Sequence, residues 1–112
     1  MTIEDFYTRI SEAFPTVPVF FEVIDVEEGD ELPPDYMFFE SGTTVGFGAD
    51  NQTYWSSTPI ELMAVQTNPI KNDDRLTEEL EEFLQLNRFQ FTKQVANDTE
   101  IRATVTTYTF YI

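Results

Sequence analysis

Pro59-Ile60-Glu61-Leu62-Met63-Ala64-Val65, with the turn Ala49-Asp50-Asn51 before it and Leu76, Leu80, Phe83 and Leu84 after it, decides the reading of this 112-residue chain. Strand side chains alternate between faces, so Ile60, Leu62 and Ala64 form one apolar face, and Glu61, Met63 and Val65 a mixed one. Leu76, Leu80, Phe83 and Leu84 recur at offsets of 4, 7 and 8, which is one stripe of a helix over about residues 74–86. That stripe needs a sheet to cover. Residues 66–73 supply enough chain to lay the helix across the strand, and the pair is the expected nucleus of the core.

Working outward to the N-terminus, Thr2 before Glu4 and Asp5 reads as a helix cap, and Ile3, Phe6, Ile10 and Ala13 or Phe14 repeat at helical spacing up to Pro15. Residues 17–24 read as a strand with Val17, Val19, Phe21 and Val23 on one face, and Pro18 places it at an edge. Residues 36–40 form a second strand and 43–47 a third or its continuation. Gly46 and Gly48 are strand glycines, because no helix and no Lys-Ser or Lys-Thr pair follows them as a phosphate loop requires. Tyr54 and Trp55, adjacent in an extended segment, point to opposite faces, so that an outward Trp55 is a candidate contact residue, the alternative being that both rings are buried.

Beyond the long helix, Asn87 is the expected left-handed stop, and residues 89–95 and 100–112 form a hairpin through Ala96-Asn97-Asp98-Thr99. In the last strand Ile101, Ala103 and Val105 lie on one side and Tyr108, Phe110 and Ile112 on the other. This strand is a candidate sheet edge, with Tyr108 and Phe110 as candidate subunit or partner contacts. The order of elements gives an α+β fold, an antiparallel sheet of about four to six strands covered by two helices in a single domain over residues 1–112.

Residues 25–35 carry Asp25, Glu27, Glu28, Asp30, Glu31 and Asp35 and end in Pro33-Pro34-Asp35, an exposed polar connector. The spacing of these carboxylates does not match a calcium-binding helix-loop-helix, so no metal site is expected there. The chain has neither His nor Cys, which removes Ser-His and Cys-His nucleophiles, thiolate metal sites and disulfides. Glu22 and Glu61 are the nameable acid-base candidates. Both read as outward-facing strand residues, and neither enzymatic activity nor a cofactor is expected.

Apolar residues at 41%, with 11 Phe, suffice for a packed core despite a net charge of -15. No run is long and apolar enough for a membrane span, and Met1-Thr2-Ile3-Glu4-Asp5 lacks the basic start of a signal peptide, so the expected compartment is the cytoplasm. A surface this negative repels phosphate backbones, and the six basic residues form no patch. Glu78, Glu79, Glu81 and Glu82 on the long helix have almost no basic partner at i+4, so their face is solvated or meets something basic.

One segment carries a resemblance. Phe47-Gly48-Ala49-Asp50-Asn51-Gln52-Thr53-Tyr54, followed by Pro59-Ile60-Glu61-Leu62, resembles the Phe-x-Ala-Asp-Asn-x-x-Tyr and strand signature of small tail-terminator or tail-completion proteins of long-tailed phages of Gram-positive bacteria. The order of elements is similar over nearly the whole chain. Asn68-Pro69 and the unusual acidity depart from the pattern. The resemblance implies a virion protein of the neck, commonly a hexameric ring, that caps the tail tube and joins it to the head connector after assembly in the host cytoplasm. DNA would pass such a ring without specific binding, repelled by the acidic 25–35 loop. The alternative is a small acidic DNA mimic that occupies the basic groove of a host enzyme.

Overall fold

The computed structural model describes residues 1–23, 35–43, 45–49, 52–67, 75–98 and 103–112, and of 45–49 and 52–56 the backbone alone. Helix α1 (Ile3–Ala13) starts on a reciprocal cap: the Asp5 N–H donates to Thr2 Oγ1 at 3.1 Å, and the Thr2 N–H donates to Asp5 Oδ2 at 3.3 Å. Those bonds, the backbone one first, hold the Asp5 carboxyl below its ordinary value of 3.8. The helix buries Phe6 and Ile10, and Phe14 continues the stripe at the C-cap, just ahead of Pro15.

Strands β1 (Val19–Phe21), β2 (Asp35–Ser41), β5 (Pro59–Gln66), β6 (Thr92–Asp98) and β7 (Ala103–Tyr111) form one sheet in the order β1-β2-β5-β7-β6. Strands β3 (Val45–Ala49) and β4 (Gln52–Ser57) pair with each other in a separate two-stranded sheet. The α+β class holds, but the sheet is mixed, because β1 runs parallel to β2 while the other pairs are antiparallel. The expected third strand begins at Val45 and belongs to the small hairpin. Its turn residues, Asp50 and Asn51, lie outside the described residues.

Both helices cover the same face. Phe6, Ile10 and Phe14 from α1 and Leu76, Leu80 and Leu84 from α2 (Arg75–Leu86) meet Met37, Phe39, Ile60, Leu62, Ala64, Tyr108 and Phe110 from the sheet. Phe6 is the hub, its ring 5.1 Å from Phe39 and 5.5 Å from Phe110, with Phe83 and Phe89 farther out. The expected nucleus is present as read: Ile60, Leu62 and Ala64 face the helices and Leu76, Leu80 and Leu84 cover them.

Helix α2 ends at Leu86 as expected, but the left-handed residue that closes it is Arg88 and not Asn87. The Arg88 N–H donates to the Gln85 carbonyl and the Phe89 N–H to the Leu84 carbonyl, a Schellman closure with Arg88 in the left-handed region at φ 61°. Asn87 instead donates its side-chain amide to the Phe83 carbonyl at 2.8 Å. Phe89 is thereby turned into the core, so 89–91 is not strand, and the following hairpin stays paired out to Asp98 and Ala103. Of the turn expected at 96–99, Ala96, Asn97 and Asp98 are strand instead, and Thr99 lies outside the described residues.

Candidate interaction surface

On the face of the sheet away from the helices, the register aligns Phe20 with Phe38 and Met63, and Tyr36 with Val65 and Val105. Tyr36, Val65 and Ala103 are buried there, and Phe20, Phe38 and Val105 are half-buried against them. Farther along the same face Glu40 stands directly opposite Glu61, both exposed, a like-charge pair that favours solvent or a cation rather than self-burial. Glu61 is thus an outward strand residue, as its position in the alternation requires. Glu22 is exposed just past β1 in the left-handed region at φ 60°, where its carboxylate accepts from the Ser41 hydroxyl at 3.1 Å. Its turn ends the strand early, and Val23 lies out in solvent instead of on the Val19 face.

The two ends of the sheet differ. In β1 the Pro18 carbonyl accepts from the Met37 N–H and the Glu22 N–H donates to the Phe39 carbonyl, so 18, 20 and 22 face β2 while Val19 and Phe21 turn their backbone groups outward. Both outward carbonyls are occupied: Val19 accepts from the Tyr7 hydroxyl at 3.4 Å and Phe21 from the Val23 N–H at 2.6 Å. A groove of about 680 Å³ between α1 and β1, lined by Ile3, Tyr7, Val19 and Phe21, accompanies this edge.

At the other end, all seven residues of β6 are exposed. Thr58 and Ile112 exchange both backbone bonds, which turns the even-numbered residues of β7 toward β5 and the odd-numbered ones toward β6. In β6 it follows that Thr92, Gln94, Ala96 and Asp98 bond to β7, and that the N–H and C=O of Lys93, Val95 and Asn97 point away from the sheet. Above this edge Lys93 Nζ meets Glu81 of α2 at 3.3 Å.

Of the contact residues expected from sequence, Tyr108 and Phe110 are at 0% and 1% exposure, in the core under both helices, and β7 lies between two strands instead of at an edge. They belong to the core and present no aromatic surface. The Tyr108 hydroxyl is buried and finds no hydrogen-bond partner among the described residues. Burial first, and the nearby Glu81 carboxylate second, push its pKa up. Trp55 lies in β4 opposite Phe47, and its side chain falls outside the described part. Of the acidic loop, Asp25, Glu27, Glu28, Asp30 and Glu31 lie outside the described residues, and Asp35 is exposed at the start of β2. Among the described residues no group of acidic side chains could hold a metal, and no helix is long and apolar enough to cross a membrane.

The open β6 edge was the feature that sequence reasoning missed. Thr92-Lys93-Gln94-Val95-Ala96-Asn97-Asp98, with one large apolar residue and a lysine, carries the composition of an edge strand. Neither the models of known families nor the curated proteins give a match to the chain.

Proposed function

We propose that this protein is a structural subunit of a phage neck, a tail terminator or tail-completion protein that assembles into a ring over the tail tube and meets the head connector. The observation that carries the reading is the division of the described residues into a sheet with two helices on one face and a separate hairpin, β3 with β4, whose strands hold Phe47 to Ala49 and Gln52 to Tyr54 of the signature. A head-to-tail ring needs two different surfaces on each copy. The hairpin and the exposed end of the other sheet face, with Glu40, Glu61 and Tyr111, supply two such surfaces, and Trp55 of the hairpin is proposed to anchor the contact. The net charge of -15 supports a passage along which DNA slides without adhering.

Sedimentation over a salt series, with and without the tail-tube protein, tests the reading. At low salt the charge keeps the copies apart. Rings should accumulate as screening shortens the Debye length to about 8 Å near physiological salt. Duplex DNA should show no binding in an anisotropy titration. A strict monomer at every salt, with the tube protein present, would overturn the ring.

A further inference from the structure

We infer that β6 is a docking edge for an extended, lysine- or arginine-bearing segment of another protein, which adds to the sheet as a sixth strand. This inference does not depend on the neck reading. The outward N–H and C=O groups of Lys93, Val95 and Asn97 form a ladder that no other described residue bonds, along a strand exposed from end to end. Main-chain bonding of this kind supplies affinity, and the side chains that alternate across the added strand supply specificity.

The chemistry of the occupant follows from what overhangs the edge. The Lys93 to Glu81 contact turns one face of α2 toward β6, and Glu78, Glu81 and Glu82 share that face at i, i+3 and i+4. Glu78 and Glu82 are exposed, Glu81 is half-buried, and Lys93 is already engaged by Glu81. A strand laid against β6 therefore places every second side chain beneath a carboxylate rim, and its other side chains beside Gln94 and Ala96. Lysine or arginine suits the first set and small polar residues the second. A second copy of this chain fits worse: antiparallel pairing of two β6 strands sets two such rims side by side on a protein already at -15.

The probe is a short fluorescein-labelled peptide alternating lysine and threonine, titrated against the full chain at low and at physiological salt. Saturable binding is expected, with protection of the Lys93, Val95 and Asn97 amides from hydrogen exchange, and a glutamate-threonine peptide should not bind. Val95→Pro removes one outward N–H without touching the ladder to β7 and should weaken binding about tenfold. The double change Glu78→Gln and Glu82→Gln should lower both the affinity and its salt dependence. If Val95→Pro does not fold, a peptide N-methylated at alternate residues takes its place, and loss of binding on methylation supports the docking edge. Absence of binding at low salt overturns the proposal, as does binding indifferent to Val95→Pro or to N-methylation. Amide protection that rises with protein concentration in the absence of peptide also overturns it, and assigns the edge to a second copy.

Discussion

At β1 the main sheet ends in three residues whose outward carbonyls are taken by Tyr7 and by the backbone of Val23; at β6 it ends in seven exposed residues whose outward groups on Lys93, Val95 and Asn97 no other described residue bonds. Both edges carry hydrogen-bonding potential, and the difference is what each side chain row rests on. Phe21 stacks on Phe39 at 4.8 Å and draws β1 down onto α1. Strand β6 has no buried side chain and is held by its bonds to β7 and by Lys93. An edge that is shortened and capped contributes to the core. An edge that is long and lightly anchored leaves its backbone available.

The sharpest way to break this contrast is to remove its anchor. Phe39→Ala, at a fully buried position between Phe6 and Phe21, should cost about 3–5 kcal/mol. Val95→Ala, exposed on β6, should stay within about 0.5 kcal/mol. Urea melts of the two variants check the pair, and equal losses would mean that β6 is packed against something.

A smaller effect is expected beneath the β6 edge at Tyr108. Its hydroxyl is buried with no well-formed hydrogen bond and only the Glu81 carboxylate near it, so Tyr108→Phe should shift stability by no more than about 1 kcal/mol in either direction. The same residue gives a signed pH dependence. Its pKa is higher folded than unfolded, so its contribution is intact below the unfolded value of 10.0 and is lost as pH rises above it. Stability curves from pH 8 to 11 should therefore fall more steeply at the alkaline end for the natural protein than for Tyr108→Phe, by roughly the slope of one proton.

The smallest expected change lies at the capped edge. Tyr7→Phe removes a long, exposed hydrogen bond to Val19 and should cost no more than about 0.5 kcal/mol, while hydrogen exchange in β1 quickens. A loss above about 1.5 kcal/mol would make the hydroxyl a structural strut instead of an edge cap.

The central pair, β5 with α2, was legible because its signals are periodic and strong: Ile60, Leu62 and Ala64 alternate with Glu61, and the leucines of α2 recur on one stripe. Strand neighbours were not legible. Ala103 and Val105 on one face and Tyr108 and Phe110 on the other made β7 apolar on both sides, a pattern that an edge contacting a partner and a central strand share locally. Only the long-range register, with Tyr108 opposite Leu62 and Phe110 opposite Ile60, puts those rings under the helices. The parallel course of β1 was hidden for the same reason, since the alternation of Val19 and Phe21 is identical in either direction. Of the candidate contacts, Trp55 keeps its place in a strand, and the open ladder of β6 had to be traced through hydrogen bonds rather than side-chain types.

The central position of β5 also dictates a sequence of events in folding. Hairpin β6-β7 joins neighbours in the chain and can close within about 1–10 μs, whereas Ile60 finds Phe110 only across about 50 residues, a loop whose closure is entropically slow. Until β7 docks, the apolar row Ile60, Leu62 and Ala64 has one flank unpaired. Docking β7 on β5 is then the expected rate-limiting event of refolding, and mutations along Leu62 and Tyr108 should slow folding more than those in β1, which should mainly hasten unfolding.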